Sequence, residues 1–145
     1  MRTAPLLPFL SILVSASAPA YAGDVTVSGT ITDLEGGAWV HIAVMTQAEW
    51  ESDDPIVPSS RGLSLENEGT SARYSLQVPA GEYAVVVFED GDGDKELTKN
   101  FLGIPTEGFG FSRNYNPFRH FGPPDFDEIS VSLIHDQQVD IELID

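Results

Sequence analysis

The chain has 145 residues and no cysteine. Its 23 acidic residues outnumber seven Lys and Arg, for a formal charge of −16. That balance excludes a surface that holds nucleic acid or an anionic membrane by charge. The lack of Cys excludes disulfide staples and thiol nucleophiles.

The first 22 residues, MRTAPLLPFLSILVSASAPAYA, read as a secretory leader. Arg2 supplies the positive end, Leu6 to Val14 the short apolar stretch, and Ala20-Tyr21-Ala22 the small-x-small cleavage pattern. The apolar stretch is too short, and too interrupted by Pro5 and Pro8, for a membrane span. The expected mature protein is therefore one domain from Gly23 to Asp145, periplasmic or secreted, without stable membrane insertion after cleavage.

From there the hydrophobic period is two almost everywhere. Val25, Val27, Gly29 and Ile31 alternate with polar residues, as do Val40, Ile42 and Val44 in AWVHIAVMT. QAEWESDD at 47–54 is the one helical candidate, a turn or two before Pro55, and a further strand is expected near Arg61 to Glu66. Tyr74, Leu76 and Val78 share one face of ARYSLQVP. GEYAVVVFE at 81–89 is apolar on both faces, which suits a central strand between two layers. Ile129, Val131 and Leu133 alternate, then Val139, Ile141 and Leu143, with turn signals at 34–37, 79–81 and 135–138. About seven strands predict an all-β fold, a single antiparallel β-sandwich. The run from Phe101 to Phe126 breaks the pattern. It is rich in Gly, Pro and aromatics and reads as one long loop, packed or functional.

Between the central strand and that loop stands DGDGDKELTKN. Asp90, Asp92 and Asp94 have the 1, 3, 5 spacing of a calcium loop, and Glu96 follows where a backbone carbonyl usually binds. Position 6 is Lys95 rather than Gly and position 12 is Phe101 rather than Glu, so this is no EF-hand. The expected metal residues are Asp90, Asp92, Asp94 and Glu96, with Glu89 or Asn100 as further donors and Ca2+ in a structural role. The competing reading is a solvated hairpin whose Asp-Gly steps make the turn.

The run PAGEYAVVVFEDGDGDKELTKNFLGIPTEGFGFSRN, followed by FGPPDFDE, resembles an uncharacterised exported bacterial family, domain of unknown function 2141. The resemblance is close over residues 79 to 128. It implies an exported β-sandwich of transthyretin-like or collagen-adhesin B-type and no established reaction. Members often carry an Asp late in the acidic loop where this chain has Thr98, which departs from the pattern at the loop's end.

No set of nucleophile, base and orienter can be assembled, so no enzyme is expected. Ser112 has no identifiable base, Gly108-x-Gly110 precedes no helix, and Asp125 and Asp127 are ordinary for so acidic a chain. His41 sits opposite Val40 and Ile42, at the surface or in an inter-strand hydrogen bond, and His135 lies by a turn. In the long loop, Phe109, Phe111, Arg113, Asn114, Tyr115, Phe118, Arg119 and His120 are the candidates to line a ligand surface. The expected function is an exported binding, accessory or structural module, stabilised by calcium, with an unknown envelope or extracellular ligand. The runner-up is a sugar- or peptide-binding module using the aromatic loop. An envelope hydrolase would need a carboxylate or His120 as its catalytic group.

Overall fold

The computed structural model describes residues 23–57, 61–91, 93–97 and 107–144. The leader, Asp92, Asn100 and Phe101 lie outside the described residues. The strands are β1 (Asp24–Thr32), β2 (Ala38–Met45), β3 (Gly62–Asn67), β4 (Ala72–Pro79), β5 (Gly81–Asp90), β6 (Phe109–Phe111), β7 (Ser130–Leu133), β8 (Gln137–Gln138) and β9 (Ile141–Glu142). The helices are short: α1 (Gln47–Glu51), α2 (Pro117–His120) and α3 (Phe126–Ile129). None of the described helices is long and apolar enough to cross a membrane.

The strands form two sheets. One has the order β4-β1-β8, with β9 also paired to β1; the other has the order β3-β2-β5-β6, with β7 also paired to β5. The expected all-β class holds, with one change of direction. β8 and β9 run parallel to β1, not antiparallel. The parallel edge is completed by side chains: Asp136 Oδ1 accepts from the Thr26 amide and Asp140 Oδ1 from the Thr30 amide, each at 2.8 Å. Backbone bonds from Val139 to Ser28 and from Leu143 to Thr32 alternate with them. The chain approaches so closely here that a Cβ on Gly29 would stand 2.0 Å from the Val139 oxygen, so only glycine fits. Tyr74 donates its hydroxyl to that same carbonyl. Burial first, and the Asp140 charge second, push its phenol well above the ordinary range, which keeps it a donor.

Period-two alternation places Val25, Val27 and Ile31 of β1, Val40, Ile42 and Val44 of β2, and Tyr83, Val85 and Val87 of β5 in one cluster shared by both sheets. Each such aliphatic side chain contributes about 1.5–3 kcal/mol on full burial. The other face of the β2–β5 pair is equally dry. Ala43, Met45, Ala84, Val86 and Phe88 pack there against Trp50, Phe109, Phe111, Tyr115, Phe126 and Ile129. β5 is thus buried on both faces, as its unbroken apolar run predicts.

The second layer is built from the stretch expected to form one long loop. β6 pairs its Phe109, Gly110 and Phe111 with Phe88, Val87 and Val86 of β5. A 3-10 turn at Ser112–Asn114 follows, then α2 and α3. A three-residue strand with a central glycine has too little alternation to register as β, and the free edge of β5 dictates its conformation instead. The edge-to-face contacts Trp50–Phe111 (5.8 Å) and Phe109–Phe111 (5.6 Å) fix the rings. The expected helix at 47–54 is present as α1. Thr46 caps it: its Oγ1 accepts from the Glu49 amide at 3.3 Å while Glu49 Oε2 accepts from the Thr46 amide at 3.0 Å. Trp50 hangs from that turn into the layer and donates its indole N–H to Pro124 at 3.2 Å.

Candidate metal centre

β5 ends in two buried carboxylates that alternation sends to opposite faces. Asp90 lies on the face of the aromatic layer and is 4% exposed. In register with β5, β2 places His41 across from Phe88 and Trp39 across from Asp90. His41 Nε2 stands 2.8 Å from Asp90 Oδ2, and its Nδ1 2.7 Å from Ser64 Oγ on β3. An ionised carboxylate only accepts, so Nε2 carries the proton; in the neutral ring Nδ1 then accepts from the Ser64 hydroxyl. His41 is 1% exposed. A surface position is therefore ruled out and the inter-strand hydrogen bond is what is found. The reason is the second layer, which turns a face that alternation assigns to solvent into interior.

The acidic loop wraps the same carboxylate. Asp90 Oδ1 accepts from the Gly93 amide at 2.8 Å and Oδ2 from the Lys95 amide at 3.0 Å. Left-handed backbone at Gly93 (φ +78°) and Lys95 (φ +61°) makes the curl possible. Asp94 Oδ1 accepts from the Glu96 amide at 3.0 Å. The loop then re-enters the core at Leu97, which exchanges two 2.8 Å backbone bonds with Ile56. On its other side the chain returns through Glu107, and Gly108 accepts from the Glu89 amide at 2.9 Å.

Carboxylate oxygens of Asp90, Asp94 and Glu107 lie within 4.8 Å of one another. Three carboxylate oxygens this close can share one hard cation, with water or carbonyls completing its shell. Of the residues expected from the spacing, Asp90 and Asp94 come together. Glu96 is exposed and contributes its amide, and Asp92 lies outside the described residues. Glu89 faces the other way. Glu107 was not foreseen. It comes from beyond the loop, and no spacing rule marks it.

The candidate ligand surface separates into two groups. Phe109, Phe111 and Tyr115 are buried in the aromatic layer. Arg113, Asn114, Phe118, Arg119 and His120 are exposed. Arg113 donates to the Asp127 carbonyl at 2.8 Å, Asn114 accepts from the Glu142 amide at 3.1 Å, and His120 stacks on Tyr115 at 4.5 Å. Burial, then the charges of Glu128 and Asp125, raise the Tyr115 phenol above its ordinary range. Ser112 is fully buried; it accepts from the Val85 amide at 3.0 Å and donates to the Ile129 carbonyl, so its hydroxyl ties three segments together. Asp125, Asp127 and His135 are exposed.

The family model for uncharacterised proteins conserved in bacteria, domain of unknown function 2141, matches residues 25–142. The chain belongs to that family. No curated protein and no solved structure matches it significantly.

Proposed function

We propose that the protein is an exported binding or accessory module whose acidic loop holds a structural calcium ion. The observation that carries this reading is the convergence within 4.8 Å of Asp90 and Asp94, from the acidic loop, with Glu107, from the stretch that leads into β6. One of the three is already anchored to the sheet through His41. Three carboxylates this close repel one another, and a divalent cation would offset that repulsion. It would also join the end of β5 to the stretch that leads into β6, and so steady the aromatic layer. Export rests on the leader pattern around Arg2, Leu6 to Val14 and Ala20-Tyr21-Ala22.

The test is thermal unfolding of the purified protein in chelator and in about 10 mM calcium. For a dissociation constant of about 0.1 mM, mass action stabilises the fold by about 2.7 kcal/mol, a rise in Tm of several degrees. The rise is expected to vanish in Asp94→Asn and not to be reproduced by NaCl of matched ionic strength. Equal melting in chelator and calcium would overturn the proposal and leave the loop a solvated turn.

A further inference from the structure

α2 ends in a costly way. Phe121 follows it in the left-handed region (φ +61°, ψ +37°), a position where glycine is the usual residue. Its amide and that of Gly122 both donate to the Pro117 carbonyl, which closes the turn, but the residue is 97% exposed and its ring is left in water. Phe118, on the same short helix, is 51% exposed. Arg119 and His120 lie between the two rings and are exposed as well. Arg119 is one of only seven Lys and Arg residues in a chain of charge −16. The tip is therefore aromatic and cationic on a molecule that is otherwise acidic.

A complementary feature lies at the same end. Gln47, Trp50, Glu51, Asp125, Phe126 and Asp127 line a cavity of about 270 Å³. Trp50 and Phe126 are nearly buried and form its floor, while Glu51, Asp125 and Asp127 are exposed around its rim. Only Gly122, Pro123 and Pro124 separate Phe121 from the rim. The Trp50 indole holds the Pro124 carbonyl, which fixes the chain between the tip and the rim.

We propose that the tip docks in the cavity of a second copy of this chain. Because tip and cavity are neighbours on one molecule, a two-fold axis beside them lets each Phe121 enter the other's cavity. The exchange closes as a dimer and not as a fibre. The acidic rim faces the partner's Arg119 and His120. The mutual repulsion of two acidic chains is screened beyond about 8 Å at 0.15 M salt. The patch is small, so the dimer is weak and transient.

Sedimentation velocity in 0.15 M NaCl, from about 10 µM to about 1 mM protein, tests this together with NMR of the Trp50 indole N–H. A concentration-dependent dimer is expected, with the indole signal shifting as it forms. Phe121→Ser and Arg119→Glu should each weaken it at least tenfold. Both residues are exposed, and unchanged circular dichroism checks that the variants fold. A monomer throughout, a dimer indifferent to both substitutions, or a dimer that leaves the Trp50 signal still would each overturn the proposal. So would Phe121-dependent binding of the monomer to phosphatidylglycerol vesicles, which would assign the tip to lipid. Calcium is held in excess throughout, so failure here is separate from failure of the cation reading.

Discussion

Glu89 and Asp90 are neighbours on one strand, both acidic and both about 95% buried, yet they work in different regions. Glu89 faces the core between the sheets and holds the connection that carries the chain from β1 in one sheet to β2 in the other. Its oxygens accept from the amides of Glu35 (2.7 Å) and Gly36 (3.3 Å). Its partners are backbone amides of that connection, and among the described residues no carboxylate joins the three-membered acidic group from this face. Asp90 faces the aromatic layer. It is held by an imidazole and by its own loop, and it shares space with two further carboxylates. The same residue chemistry is thus a clamp on one face and a candidate ion ligand on the other. The difference comes from which segments arrive at each face.

The largest test of that contrast is Asp90→Ala. It leaves the buried His41 N–H without its acceptor and the loop without its hub, at a cost of about 3 kcal/mol. The urea midpoint should fall at constant m-value, and any calcium response should disappear with it. Next comes His41→Phe, expected to cost about 2 kcal/mol in chelator by leaving Asp90 short of a donor. In calcium the loss should be smaller, because the ion takes up the freed lone pair. An equal loss in both conditions would mean that His41 and the ion do not share Asp90. Glu89→Gln keeps one good acceptor and should cost about 1–2 kcal/mol, with the calcium shift in Tm intact. A lost shift would erase the distinction between the two carboxylates.

Smaller effects sharpen the picture. Asp94→Asn should change stability in chelator by no more than about 0.5 kcal/mol, as exposed substitutions do, while removing the calcium shift. Glu96→Gln should change neither. The smallest effect concerns an exposed carboxylate at the edge of β1. The Gln138 side chain first, and the Thr30 amide second, hold Asp140 below the usual Asp range. A depressed folded value means that its contribution is present above the unfolded pKa and is lost as pH falls through the folded one. An NMR titration should therefore give Asp140 a lower midpoint than a free Asp, and Gln138→Ala should move it upward.

The strands were readable because β1 and β4 carry their burial in their own alternation and β5 in an unbroken apolar run. The acidic loop was readable in part. The spacing marks Asp90 and Asp94, since a tight Asp-Gly curl is a local event. Nothing local marks His41 or Glu107. His41 looks like an outward residue of an alternating strand, and Glu107 stands alone between a Thr and a Gly. Phe109 and Phe111 looked like binding aromatics because a Gly- and Pro-rich stretch gives no sign of the strand edge that will bury it.

By itself, then, the amino-acid order determined the two-residue period, the central place of β5, the family and the acidic curl, all of which depend on neighbours a few residues apart. Only the tertiary structure decided which face of β2 was interior and that the aromatic run packs as a second layer. It also turned the C-terminal strands parallel to β1 and brought Glu107 to Asp90. Those outcomes depend on contacts between residues distant in sequence, whose free energy comes from excluding water at surfaces that exist only once the chain has folded.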